Sequence, residues 1–264
     1  MTSTPLPSDG AAPELEIAGA IATIRLCRPQ KMNRLTTDDL RLLHTHCDII
    51  DADARVRVVV LTAQTSLQSR PVFCAGFDIG SFDSPSQEPR LFEQTVNRLA
   101  SLRPVLLCGL NGSVYGGATD LVLACDVRIG LEGLEFKMPA LALGLHYYPS
   151  GLRRYVQSFG LDRARQAFLT ARAFSADQLV TAGVLMACHD SEVFEGALRH
   201  LAQDIAALAP LAASATKQSL KEIASGEFDL TPLQQRETLT HQSQDFAEGR
   251  KAFAERRSPI FRGI

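Results

Sequence analysis

The sequence carries no surplus of charge: 27 Lys and Arg stand against 29 Asp and Glu, a net charge of −2. That balance excludes a global basic field of the kind that holds nucleic acid or an anionic membrane surface. No C-x-x-C pair occurs among the six cysteines (Cys27, Cys47, Cys74, Cys108, Cys125, Cys188), and no histidine stands at ligand spacing from them. Neither a metal site nor a disulfide framework is signalled, and a cytoplasmic protein with reduced thiols is the expectation. Residues 1–13 lack the basic start and apolar run of a secretory signal and read as a loose tail. The longest apolar stretch, Pro104 to Gly130, holds five glycines together with Asp120 and Asp126, which argues against a membrane span. G-x-G-x-x-G after a strand is also missing, so a dinucleotide-binding reading has no support.

What remains is a chain of 264 residues with 45% hydrophobic content, enough to bury a sizeable core. Glu14–Ala18 and Ala20–Leu26 flank Gly19 and predict a hairpin. Thr36-Thr37-Asp38-Asp39 can cap a helix in which Leu40, Leu43, Cys47 and Ile50 recur at helical spacing. Residues 56–61 and 105–110 read as buried strands, with a helix over 90–102 between them. Ser175-Ala-Asp-Gln opens a short helix that Gly183 can close. Alternating strands and helices imply an α/β core over residues 14–200 with a largely buried sheet. Ala-rich helical segments at 192–208, 211–224 and 232–256 then predict a helical region over 201–264.

Two small-residue loops lie at predicted strand ends. One is Phe73-Cys74-Ala75-Gly76-Phe77-Asp78; the other runs from Asn111 through Gly116-Gly117-Ala118-Thr119-Asp120. Such loops let a ligand approach the backbone and leave N–H groups to point at it. The apolar run Leu121–Cys125 predicts a buried helix starting near Gly117, whose first N–H groups have no intrahelical partner. Read physically, the two loops are either a pair of donors for one developing oxyanion or tight turns in a packed core.

The order F-C-A-G-F-D, N-G-x-x-x-G-G-x-x-D, then A-C-D at 124–126 resembles the enoyl-CoA hydratase/isomerase (crotonase) superfamily. Arg28-Pro29 with Asn33, Ser175-Ala176 through Ala182-Gly183-Val184, and the ending Glu248-Gly249, Phe253, Arg256-Arg257 and Pro259 extend the similarity over most of the chain. The resemblance implies a crotonase-like spiral of β-β-α units with a C-terminal helical subdomain used for oligomerisation, as a homotrimer or a dimer of trimers. It implies an acyl-coenzyme A thioester as substrate, no permanently bound cofactor, and an enolate held by the backbone N–H groups of Phe77 and Gly117. Met32, Arg34, Ala75, Asp78 and Ile79 would follow the coenzyme, joined by Lys251 and Phe253 from the C-terminal region of the same or a neighbouring subunit.

Two departures bear on chemistry. Hydratases of this superfamily use two carboxylates; here the first position is Asp120 in place of Glu, and the second, after Pro139, is Ala140. One base can still shuttle a proton between carbons, so isomerisation is easier to support than hydration. The glycine-rich turn that follows is replaced by Gly144-Leu145-His146-Tyr147-Tyr148-Pro149-Ser150-Gly151. Tyr147 also resembles a tyrosine of the superfamily's methylmalonyl-CoA decarboxylases, in which loss of CO₂ makes the enolate without a base. It is either a proton donor or a filler of the space vacated by glycines. Arg153 and Arg154 read as surface arginines of a helix or as anchors for an anionic substrate group. A non-catalytic thioester-binding scaffold is the alternative of a different class.

Overall fold

A computed structural model describes residues 10–78, 88, 90–226 and 228–264. The chain opens with the expected hairpin: β1 (Glu14–Ala18) pairs antiparallel with β2 (Ile21–Leu26), and Gly19 supplies the positive φ of 62° in the turn. From there a unit repeats: β3 (Val58–Ala63), β4 (Val72–Cys74) and α2 (Leu91–Ala100); β5 (Val105–Leu110), β6 (Ser113–Tyr115) and α3 (Ala118–Leu123); β7 (Val127–Leu131), β8 (Glu135–Lys137) and α4 (Pro149–Thr170). In each unit the first strand joins one sheet, the second joins another, and the helix returns the chain. The larger sheet has the order β1-β2-β3-β5-β7-β10, with β10 at Ala187–His189, and is parallel beyond the opening hairpin. The smaller has the order β4-β6-β8-β9, where β9 (Phe174–Ser175) runs antiparallel to β8. Every side chain of β3 is buried, which is why residues 58–61 read as an apolar run, and the one polar side chain, Thr62, donates its hydroxyl to Gly109 O. This β-β-α spiral is the architecture expected above.

Helix α1 (Thr37–Ala52) starts at a capping box: Asp39 N–H donates to Thr36 Oγ1 at 3.3 Å, and Thr36 N–H to Asp39 Oδ2 at 2.9 Å. The buried Asp39 carboxylate also takes the Arg28 guanidinium at 2.9 and 3.1 Å. Asn33, equally buried, accepts from Arg28 N–H and donates to the carbonyls of Gln64 and Val72. Arg28 and Asn33 therefore fix the loop over 28–35, which lies alongside residues 74–78: Ala75 N–H donates to Met32 O, and Leu35 bridges Phe77.

Helix α5 (Ala176–Thr181) opens on the Ser175–Gln178 capping box, and Gly183 follows it at φ 73°. Helix α6 (Phe194–Ala206) lays Phe194, Leu198 and Ala202 on the larger sheet. At Gly109 an added Cβ would meet the Leu198 methyls, so α6 packs directly on the backbone of that strand. Helices α7 (Pro210–Ser225) and α8 (Leu230–His241) bury no residue in the isolated chain. The single helix predicted over 232–256 is two: α8 ends at His241, and Ser243, in extended conformation, caps α9 (Gln244–Glu255) by accepting from Phe246 N–H at 3.0 Å. Among the described residues no helix is long and apolar enough to cross a membrane. All six cysteines are free; burial pushes the Cys47 and Cys74 thiols up to about 12, which makes them poor nucleophiles.

Candidate active site

The two glycine loops meet. A Cβ added to Gly76 would stand 3.3 Å from Gly117 N and 3.0 Å from Tyr115 O, and Gly76 has φ +98°, so nothing larger fits between the loops. The carbonyl of each relevant peptide is pinned from the protein side. Gly76 O accepts from Leu35 N–H at 2.9 Å. Gly116 O accepts from Thr119 Oγ1 at 2.6 Å and from Thr119 N–H at 3.0 Å, and the buried Tyr155 hydroxyl reaches Thr119 Oγ1 at 2.5 Å. In a trans peptide the N–H points opposite to the C=O. The N–H groups of Phe77 and Gly117 are thereby turned away from Leu35 and Thr119. Phe77 and Gly117 both line a cavity of about 530 Å³, together with Ala75, Tyr147, Phe92 and Ala140.

Asp120, in the first turn of α3, is fully buried and absent from the cavity lining. Its carboxylate is closed off by a bidentate ion pair: Arg154 Nε donates to Oδ1 at 2.8 Å and Arg154 Nη2 to Oδ2 at 2.6 Å. Tyr148 adds a third donor, its hydroxyl 2.6 Å from Oδ2, and Tyr147 donates in turn to the Tyr148 hydroxyl at 3.0 Å. Because a carboxylate only accepts, the sense of the chain Tyr147, Tyr148, Asp120 is fixed, and both hydroxyl protons are committed. Burial and then the Asp120 charge push both tyrosines well above their ordinary value of 10, so they stay neutral. Burial pulls the Arg154 guanidinium down, but the bonds and charge of Asp120 outweigh it and leave it raised.

Arg154 is therefore no surface arginine; its side chain is 13% exposed and faces inward. Its Nη1 donates to Asn97 Oδ1 at 2.8 Å, while one turn earlier on α4 the Ser150 hydroxyl donates to Glu93 Oε1 at 2.7 Å. Glu93 and Asn97 are four apart on α2, as Ser150 and Arg154 are on α4, so the two helices join by two rungs. Glu93 and Asn97 are not sequence candidates, and Tyr148 is one only as a member of the Tyr and His cluster in the turn over 144–151. The i,i+4 spacing was present in both helices, but nothing local says that these helices face each other. Tyr147 and Tyr148 stack at 4.2 Å, and Gly151 is required beneath them, since a Cβ there would meet the Tyr148 ring at 2.8 Å.

The remaining sequence candidates scatter. Met32 and Ala75 line a shallow second cavity that adjoins the first at Ala75 and Tyr115. Arg34 Nη1 lies 3.4 Å from Asp78 Oδ1, a pairing that leaves the arginine 42% exposed. Ile79 lies outside the described residues. Lys251 and Phe253 sit on α9; Phe253 is 87% exposed and lines a separate cavity with His241, Phe246 and Arg250. The single chain does not bring that pair to the main cavity.

Residues 16–263 match the family model described as enoyl-CoA hydratase/isomerase. The chain is 30% identical over 254 residues to the probable enoyl-CoA hydratase echA6 of Mycobacterium leprae, covering 93% of this chain and 97% of that protein. It is 27% identical to the 2,3-dehydroadipyl-CoA hydratase of Escherichia coli (92% and 95% covered), and 26% identical to the methylmalonyl-CoA decarboxylase of the same organism (79% and 82%). The crystal structure of a putative enoyl-CoA hydratase from Streptomyces coelicolor superposes with a TM-score of 0.86 at 23% identity, over 100% of this chain and 98% of that one. The chain belongs to the enoyl-CoA hydratase/isomerase family.

Proposed function

We propose that the protein acts on an acyl-coenzyme A thioester, whose enolate oxygen is received by the N–H groups of Phe77 and Gly117. The observation that supports this reading is the pinning of the Gly76 and Gly116 carbonyls, which turns the following N–H groups away from Leu35 and Thr119 in two residues that line the cavity. Donors fixed before the reaction pay no reorganisation cost as charge develops, and one such donor is typically worth roughly 2.7–4 kcal/mol in the transition state. The coenzyme would follow Ala75, Met32, Arg34, Asp78 and Ile79, and Lys251 and Phe253 would close over it only from a neighbouring subunit, because within one chain Phe253 lines a separate cavity. The exposed α7 and α8, with Leu220, Ile223, Leu230 and Leu239 uncovered, support oligomerisation through residues 201–264 as a trimer or a dimer of trimers. Light scattering at micromolar concentration checks this, and a monomer contradicts it. The proposal includes a cytoplasmic location, with the thioester as the only coenzyme-bearing partner.

Chemistry of the hydratase or isomerase type fits the family. A second reading, decarboxylation of a methylmalonyl-type thioester, is favoured by the closure of Asp120 between Arg154 and Tyr148. With Ala140 at the other carboxylate position, neither family position offers an open base, and CO₂ loss needs none to form the enolate. Incubation with crotonyl-, 3-enoyl- and methylmalonyl-CoA, followed by mass detection, separates hydration, isomerisation and decarboxylation. Binding without turnover of any of the three supports a scaffold instead.

A further inference from the structure

With Asp120 clamped, the cavity still has carboxylates of its own. Among the described residues those lining it are Glu88 and Glu93. Glu88 is spent on Arg41, at 2.6 and 3.0 Å, and is exposed. Glu93 is half-buried, and among the described residues no cation pairs with it; its one hydrogen bond is the Ser150 hydroxyl on Oε1. That bond occupies Oε1, and among the described residues no hydrogen bond falls on Oε2. The first turn of α2 also packs against the glycine loops: a Cβ on Gly117 would meet the Phe92 ring at 2.8 Å, and the Phe92 and Phe77 ring centroids lie 6.0 Å apart. Glu93, the next residue, sits in that first helical turn.

We propose that Glu93 is the carboxylate that moves protons in this cavity, one helix away from the positions that carry them in the family pattern. The inference rests on the enolate reading above. Glu93 Oε2 takes a proton from the α-carbon of the thioester. The C–H electron pair moves into the enolate, whose oxygen lies between the Phe77 and Gly117 amides. The neutral carboxyl then returns the proton, to the α-carbon or, in a 3-enoyl thioester, to the γ-carbon, which completes a one-base isomerisation with no other reactant. The substrate class that follows is an acyl-CoA with an abstractable α-proton and no carboxylate of its own on that carbon, because Glu93 would repel one.

The test is deuterium incorporation at the α-carbon of butyryl-CoA in D₂O, read by mass, beside binding of the same thioester by calorimetry. Glu93→Gln keeps the size of the side chain and the acceptor for Ser150. It should lower exchange by roughly 10²-fold or more, the usual range for a positioned acid/base, while Kd changes by less than about threefold. Glu93→Asp should recover part of the rate, and the native rate should fall in acid with one protonation that Glu93→Gln abolishes. Exchange by Glu93→Gln at the native rate overturns the assignment of Glu93 and leaves the enolate reading standing. Native protein that binds butyryl-CoA but exchanges nothing overturns the enolate reading and Glu93 with it. Loss of binding in Glu93→Gln alongside loss of exchange makes the residue structural and also overturns the proposal.

Discussion

The site has two halves built on different principles, one at the cavity surface and one running from Tyr147 and Tyr148 to an ion pair that does not line the cavity. On one side, Gly76, Phe77 and Gly117 contribute backbone, and their geometry is set by hydrogen bonds to the carbonyls of Gly76 and Gly116. On the other, Asp120, Arg154, Tyr148 and Tyr147 contribute side chains whose geometry each depends on the others. A backbone donor tolerates a change of side chain, so Phe at position 77 costs the first half nothing. A side-chain network changes its chemistry when one member changes. Asp120, expected from the resemblance to be an acid/base group, is held here by Arg154 and Tyr148 in a buried ion pair.

The sharpest way to break this comparison is to remove one charge of the second half. Arg154→Met should strand a buried carboxylate that now has only Tyr148, and loss of one partner of such a pair typically costs about 3–5 kcal/mol. Urea unfolding at neutral pH measures it. Combining it with Asp120→Asn should recover part of the loss, because the stranded charge has gone. If the single variant is as stable as the native protein, the pair is not closed as described.

The next effect falls on the first half and on turnover instead of stability. Gly117→Pro deletes the amide proposed to receive the enolate oxygen, and Gly117 at φ −55° already has a backbone that proline accepts. Turnover should drop by roughly 10²–10³-fold. The Phe92 ring must shift to admit the proline ring, so circular dichroism is recorded beside the assay. Unchanged turnover would exclude Gly117 N–H as an oxyanion donor.

Local signals carried most of the fold. The Thr36–Asp39 and Ser175–Gln178 capping boxes, the Gly19 turn and the β-branched run of β3 are written in neighbouring residues, and the structure has them within a residue or two. The break between α8 and α9 was missed because Gln242-Ser243 sits inside an otherwise helical pattern and only the Ser243 cap ends it. The glycine loops were legible as well, since each needs a small residue for a reason visible in sequence. The second half of the site was not. Asp120 and Arg154 are 34 residues apart, and Glu93 and Ser150 are 57 apart. Their pairing depends on α2, α3 and α4 packing together, which no window of sequence contains.

The smallest expected effect tests whether the tyrosines belong to that ion pair or merely fill space. Tyr148→Phe removes one donor from Asp120 Oδ2 and the acceptor of the Tyr147 proton, while Arg154 stays in place. Hydrogen bonds to charged groups contribute about 1.5–3 kcal/mol, so the loss at neutral pH should fall near the lower end of that range. Its pH dependence carries the diagnosis. The Tyr148 hydroxyl is held above its ordinary value of 10, first by burial and then by Asp120, so the folded protein keeps a proton that the unfolded chain releases. Stability from such a group is complete below about pH 10 and declines as the pH rises beyond it. The phenylalanine variant lacks that decline. The gap between native protein and variant should therefore be widest at neutral pH and narrow in unfolding measurements near pH 11. A gap that stays constant across that window would mean that Tyr148 contributes only its ring.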